Sequence, residues 1–232
     1  MNKKQLISLA GIFILACGLM VFASAAKKHR VKVEWDGNQY QIENVNSLDA
    51  FFAHPYNHTI DKVADGFVAL LLAGACLVVA VSFFASKDKK EAFKTAVFDA
   101  YSYFVSFASA NGLYRILKTF AGRIRPYMYF PNPSEKGIAE FDFCRSWPSG
   151  HSANVFFAFA FMLVWFNVRK PDSKFKKPVL IVAFLCCITT MILRMLSGNH
   201  FLTDVLSGAA LGFAVSYAVN LLCNKIVKIE KR

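Results

Sequence analysis

Long apolar runs broken by short basic segments dominate the chain from end to end. Crossing the hydrocarbon layer of a bilayer takes about 20 apolar residues as helix, and roughly 17 at the least. Six runs come close to or reach that length: residues 6–25, 66–86, 96–117, 152–168, 179–195 and 201–222. The pattern predicts an all-α fold, a polytopic bundle of six transmembrane helices forming one domain over residues 1–232. The third run is the least regular, because Asp99, Asn111 and Arg115 interrupt it. Polar groups at such depth should face protein or water rather than lipid, and Tyr101, Tyr103 and Phe104 still suit a membrane helix.

Composition agrees with a bilayer environment. The chain is 56% hydrophobic with 24 Phe, and its mean hydropathy is +0.38, too apolar for an ordinary soluble domain. A formal charge of +12 raises the possibility of nucleic acid. Yet the basic residues collect in short runs between apolar segments and form no stripe on a polar domain, so they are read as topology and no nucleic-acid partner is expected. Lys and Arg in short loops stay on the cytoplasmic side. Lys3 and Lys4, then Lys87, Lys89, Lys90 and Lys94, then Arg169, Lys170, Lys174, Lys176 and Lys177, and finally Lys225, Lys228, Lys231 and Arg232 alternate as that rule requires. Both termini are therefore expected inside, and the short chain suits a prokaryotic inner (cytoplasmic) membrane.

Lys27, Lys28, Arg30 and Lys32 run against this scheme, since they follow the first span on the face assigned outside. The same 26–65 loop also carries Glu34, Asp36, Glu43 and Asp49. It is read as a mixed-charge surface with a short interfacial helix near 48–53 and no catalytic part. Residues 1–25 could instead be a cleaved signal peptide, with Ala23-Ser24-Ala25 as the cleavage site; the later loops keep their faces either way. Of the six cysteines only Cys144 lies in a long loop, where it offers an external label. No disulfide framework or zinc spacing is present. His54 and His58 are spaced like metal ligands, but Pro55 disfavours helix between them, so no metal is expected.

Three polar clusters sit where apolar runs meet loops. Lys118 and Arg125-Pro126 close the third run, Pro148-Ser149-Gly150-His151 opens the fourth, and Arg194, His200 and Asp204 bridge the fifth and sixth. By span parity the 118–151 loop and the 194–200 loop both face outward, so one site at the outer membrane surface can contain all three. A phosphoryl group needs several cations or amide donors on its equatorial oxygens and an attacking group in line with the leaving one. Lys118, Arg125 and Arg194 supply the cations, and the Ser149 and Gly150 amides at a helix start supply an anion seat. Taken alone, Lys118 and Arg125 could be interfacial anchors, and Ser149 could be a simple helix cap. His200 and Asp204 are four apart, so on a helix the carboxylate can fix the ring's tautomer. His200 is then the expected nucleophile, giving a phosphohistidine, with His151 as the acid that protonates the departing alkoxide and later deprotonates water.

Lys118-x6-Arg125-Pro126, Pro148-Ser149-Gly150-His151 and Arg194-x5-His200-x3-Asp204 together resemble the three signatures of the type-2 phosphatidic acid phosphatase superfamily. That resemblance implies six helices and hydrolysis without metal or other cofactor. It also implies Lys118, Arg125, Ser149, Gly150 and Arg194 as phosphate ligands, His151 as acid, His200 as nucleophile and Asp204 as its partner. The family's third signature usually opens Ser-Arg, where this chain has Leu193-Arg194. A lipid-phosphate transporter or scramblase would share the cradle but would need neither histidine in these roles. The expected partner is a phosphate monoester or pyrophosphate on a membrane lipid: phosphatidic acid, phosphatidylglycerophosphate, undecaprenyl pyrophosphate or a lipid A phosphate. Tyr127, Tyr129 and Phe130 could line its entrance, and Asp142, Arg145 and Trp147 carry no assigned role.

Overall fold

The computed structural model describes residues 1–227. Lys228, Lys231 and Arg232, placed on the inner face by the charge pattern, lie outside the described residues. Among the described residues all regular structure is helical. The α-helices are α1 (Lys3–Ala26), α2 (Ser47–Phe51), α3 (His58–Ala85), α4 (Lys89–Ala121), α5 (Glu135–Ala139), α6 (Gly150–Arg169), α7 (Lys176–Leu196) and α8 (Leu202–Val227). Local chemistry sets their starts: the side chains of Asn2, Asn57, Asp88 and Ser149 each accept a hydrogen bond from a backbone amide three residues on, satisfying a donor that a helix start leaves free. α4 stops at Gly122, whose left-handed φ of 61° closes the helix.

Among the described residues five helices, α1, α3, α6, α7 and α8, are long and apolar enough to cross a membrane. α4 is the longest at 33 residues but falls outside that set, and its polar side chains explain why. Asp99 is buried against Arg169 of α6 at 2.6 Å and accepts from Trp165 Nε1 at 2.8 Å. Ser102 donates to Asn220 of α8 at 2.5 Å, and Asn111 donates to Asn154 of α6 at 3.0 Å. Two of the residues that make the third apolar run irregular, Asp99 and Asn111, thus join α4 to its neighbours inside the bundle, while Arg115 lines an open cavity. Polar pairs of this kind hold helices together where lipid offers no hydrophobic drive.

α6 is the central helix and packs against α3, α4, α7 and α8. Its approach to α8 depends on two small residues one turn apart: a Cβ on Gly208 or Gly212 would run into the backbone of Ser149 or Ala153. This close crossing seats the start of α6, with its Pro-Ser-Gly-His sequence, directly against the first turns of α8. Around that core, α1, α3 and α7 expose Leu15, Leu70, Phe84 and Leu185, the lipid-facing surface expected of a bundle in hydrocarbon.

Several boundaries differ from the sequence reading, α4 for instance starting at Lys89 rather than 96. α3 starts at His58 rather than near residue 66, because the Asn57 cap adds two polar turns that hydropathy alone does not register. The short helix expected at 48–53 forms at Ser47–Phe51. The segment between α1 and α2 lies along the end of α4 and the 122–149 loop, with Val31 N donating to Thr119 O at 3.2 Å and Tyr40 N to Met128 O at 3.1 Å. A small apolar core of Tyr127, Met128, Phe143 and Cys144, flanked by Trp35, Tyr40 and Tyr56, pins these loops together. Cys144 is only 2% exposed there, so it cannot serve as the external label its loop position suggested.

Candidate active site

α4, α6 and α7 deliver their ends to an open cavity of about 810 Å³. Six of the eight predicted site residues line it: Lys118, Arg125, Gly150, His151, Arg194 and His200. The other two, Ser149 and Asp204, lie behind it, both fully buried. Lys118 is 8% exposed, and among the described residues its ammonium makes no hydrogen bond or ion pair. Arg194 is buried as well, and its Nε has no partner. Buried cations and donors left this way are costly unless an anion meets them.

Arg125 is more heavily engaged. Its Nε donates to Asp142 O at 2.9 Å, its Nη2 pairs with Asp142 Oδ2 at 2.5 Å, and its Nη1 donates to Asn199 O and Oδ1 at 3.0 and 3.1 Å. Burial alone would raise the Asp142 pKa, but Arg125, Lys118, Arg145 and Arg194 outweigh it and hold the carboxyl below its usual value. Asp142 therefore stays ionised and fixes the guanidinium at the cavity wall.

The anion seat at the start of α6 is narrower than the sequence suggested. Ser149 Oγ accepts from Ser152 N at 3.3 Å, the helix cap, while Ser149 N already donates to Asp204 O at 3.0 Å. Its amide is therefore spent on α8. Gly150, as the first residue of α6, keeps an amide without a helical acceptor.

His200 was expected on the same helix as Asp204; instead α8 begins at Leu202, and His200 sits in the turn before it, where its amide donates to Arg194 O at 3.2 Å. Gly198 makes that turn, with a φ of 71° and the His54 and Pro55 carbonyls too close for a side chain. His200 is 1% exposed. Its Nδ1 lies 3.6 Å from Asp204 Oδ2, beyond a hydrogen bond, and has no other partner. Its Nε2 lies 3.5 Å from Arg125 Nη1. Burial, joined by the charges of Arg125, Lys118 and Arg194, pushes the imidazole pKa well below its ordinary value, so the ring is neutral and its lone pair is available.

Asp204 is held by groups that motif spacing did not reveal. Its Oδ2 accepts from Ser146 Oγ at 2.5 Å and Phe201 N at 2.9 Å, and its Oδ1 pairs with Arg123 Nη1 at 2.5 Å. Arg123 also pairs with Asp49 of α2 at 2.6 Å, and Asp49 accepts from Thr203 N at 2.9 Å. The 26–65 segment, to which sequence gave no catalytic part, thus buttresses the turn that carries His200. It reaches the cavity too: Asp61 of α3 pairs with Arg194, and Asp65 Oδ1 lies 2.7 Å from His151 Nε2. Polar residues at the start of a capped helix were the available signal for these two carboxylates. The linear pattern marks Arg125 by Pro126 and its spacing from Lys118, and carries no signal for Arg123.

The family model of the PAP2 superfamily matches residues 99–228, a span containing all eight predicted site residues. Phosphatidylglycerophosphatase B of Bacillus subtilis (strain 168) is 31% identical over 128 residues, covering 54% of this chain and 59% of that protein. A crystal structure described as the first transmembrane PAP2 type phosphatidylglycerolphosphate phosphatase from Bacillus subtilis superposes with a TM-score of 0.54. It covers 92% of this chain and 98% of its own at 22% identity, a likeness of fold.

Proposed function

The chain belongs to the PAP2 superfamily, matched over residues 99–228, and from that premise we propose that it hydrolyses a phosphate monoester or pyrophosphate on a membrane lipid through a phosphohistidine on His200. One observation carries this reading: Lys118 and the Arg194 Nε are buried in a single cavity without partners, beside a neutral His200 whose Nε2 lies against Arg125. A phosphoryl group would satisfy both cations and stand within reach of Nε2. Lys118, Arg125, Arg194 and the Gly150 amide bind its equatorial oxygens. His200 Nε2 attacks phosphorus as the P–O bond to the lipid breaks, and His151 gives its proton to the departing oxygen. Water then attacks the phosphorus, His151 takes its proton, the P–N bond breaks and inorganic phosphate leaves. A slight turn of the His200 ring closes the 3.6 Å gap from Nδ1 to Asp204, stabilising the charged intermediate as carboxylates do for working histidines. No step calls on a metal or another cofactor.

In this reading residues 1–232 act as one domain, α4 is a sixth span whose polar side chains face inward, and the basic loops put both termini in the cytoplasm. The cavity then opens at the extracytoplasmic face of the inner membrane, within reach of lipid headgroups. The Bacillus relative's name brings phosphatidylglycerophosphate into the substrate set beside phosphatidic acid, undecaprenyl pyrophosphate and lipid A phosphates. Purified protein in excess EDTA should release inorganic phosphate from at least one of these four, and the panel names the substrate at the same time. Headgroup binding with no release from any of them would point to a transporter instead.

A further inference from the structure

Asp61 and Asp65 lie four residues apart on α3 and so share a face, and each touches a different member of the site. Asp61 pairs with Arg194, while Asp65 Oδ1 meets His151 Nε2 at 2.7 Å. We propose that Asp65 is a positioning residue for His151: it holds the Nε2–H of the ring and leaves Nδ1 as the nitrogen that exchanges the proton with the leaving oxygen and with water. This rests on the reading of His151 as the acid.

Three features support it. Among the described residues His151 Nδ1 has no hydrogen-bond partner, so the ring is tethered at one nitrogen and free at the other, the arrangement by which an acceptor fixes a tautomer. The tether comes from a rigid element, because α3 is capped by Asn57 and packs along α6, which carries His151. Finally, Asp65 has little structural duty of its own. Its side chain is 49% exposed, and its other ion pair, to Lys62 at 3.4 Å, is with a side chain 63% exposed, a surface pair that contributes little to stability.

The proton bookkeeping closes without Asp65 ever being protonated. The imidazolium gives its Nδ1 proton to the bridging oxygen as the P–O bond breaks, and the neutral ring keeps Nε2–H on the carboxylate. Water attack on the phosphoenzyme returns a proton to Nδ1, restoring the cation beside Asp65.

The test compares Asp65→Ala, Asp65→Asn and His151→Ala on phosphatidic acid, whose alkoxide needs a proton to leave, and on p-nitrophenyl phosphate, whose phenolate departs as a stable anion. Losing a well-placed proton donor costs about 10²–10⁴-fold. For Asp65→Ala, which keeps the ring but not its tether, kcat on phosphatidic acid should fall by about 10–100-fold, with KM within about threefold. On p-nitrophenyl phosphate the fall should stay under about threefold. Asp65→Asn keeps an acceptor oxygen without the charge and should fall between parent and alanine. Thermal melting in detergent should show all three variants folded. Equal losses on both substrates, no loss on either, or a gain in kcat/KM from removing a carboxylate that competes with phosphate would overturn the proposal. If His151→Ala loses nothing on phosphatidic acid, the acid reading beneath it fails. If only His151→Ala shows the dependence on leaving group, that reading stands and the role of Asp65 falls.

Discussion

Replacing His200 with alanine should stop phosphate release from lipid phosphates, a loss of about 10⁴-fold or more, as when the nucleophile of a coupled catalytic unit is removed. The size follows from its place in the cavity. Its Nε2 lies 3.5 Å from Arg125 Nη1, within the space where phosphate oxygens would be bound. Binding should survive the substitution, because Lys118, Arg125, Arg194 and the Gly150 amide remain. Steady-state phosphate release and equilibrium binding of inorganic phosphate, measured on the same preparation, separate the two. Turnover within about tenfold of the parent would mean that another group attacks phosphorus.

The second large effect is on stability. Arg123→Ala should destabilise the protein by about 3–5 kcal/mol, the cost of leaving buried charges without their partner. Arg123 is 26% exposed, but both carboxylates it bridges, Asp49 and Asp204, are fully buried, and one substitution strands them together. Lysine cannot span both acids as a guanidinium does, so Arg123→Lys should recover only part of the loss. Acid should act on the same joint in the parent protein. Burial would raise the Asp49 pKa, but the Thr203 amide, Asn46, the Thr203 hydroxyl and Arg123 outweigh it and hold it below its ordinary value. A depressed carboxylate contributes stability above its unfolded value, about pH 4, and loses it as pH falls through the folded value. Thermal melts in detergent across pH should therefore show the parent losing more than Arg123→Ala below about pH 4. Equal acid sensitivity in the two proteins would contradict the assignment.

Residue type and spacing made six cavity-lining residues legible, because cations, a glycine at a helix start and histidines fall in three ordered clusters at span ends, although each is ambiguous alone. What they did not reveal is the support. Asp61 and Asp65 precede the apolar part of α3, so a reading by hydropathy leaves them in a loop, although Asn57 caps them into the helix. Asp49 and Arg123 meet through the folding of the 26–65 segment over the 122–149 loop, a long-range contact with no local sequence pattern. Five of the predicted spans were legible because lipid-facing helices must be apolar, whereas α4 buries Asp99, Asn111 and Lys118 on its inner side and falls outside that set.

The central claim is that phosphorus passes through the ring of His200. Protein quenched in alkali during turnover of ³²P-labelled lipid phosphate should carry label that is stable to base and released by acid, on the peptide containing His200, with none on His200→Ala. Label on another residue, or turnover through single-step attack by water with inversion at phosphorus and no labelled protein, would contradict it.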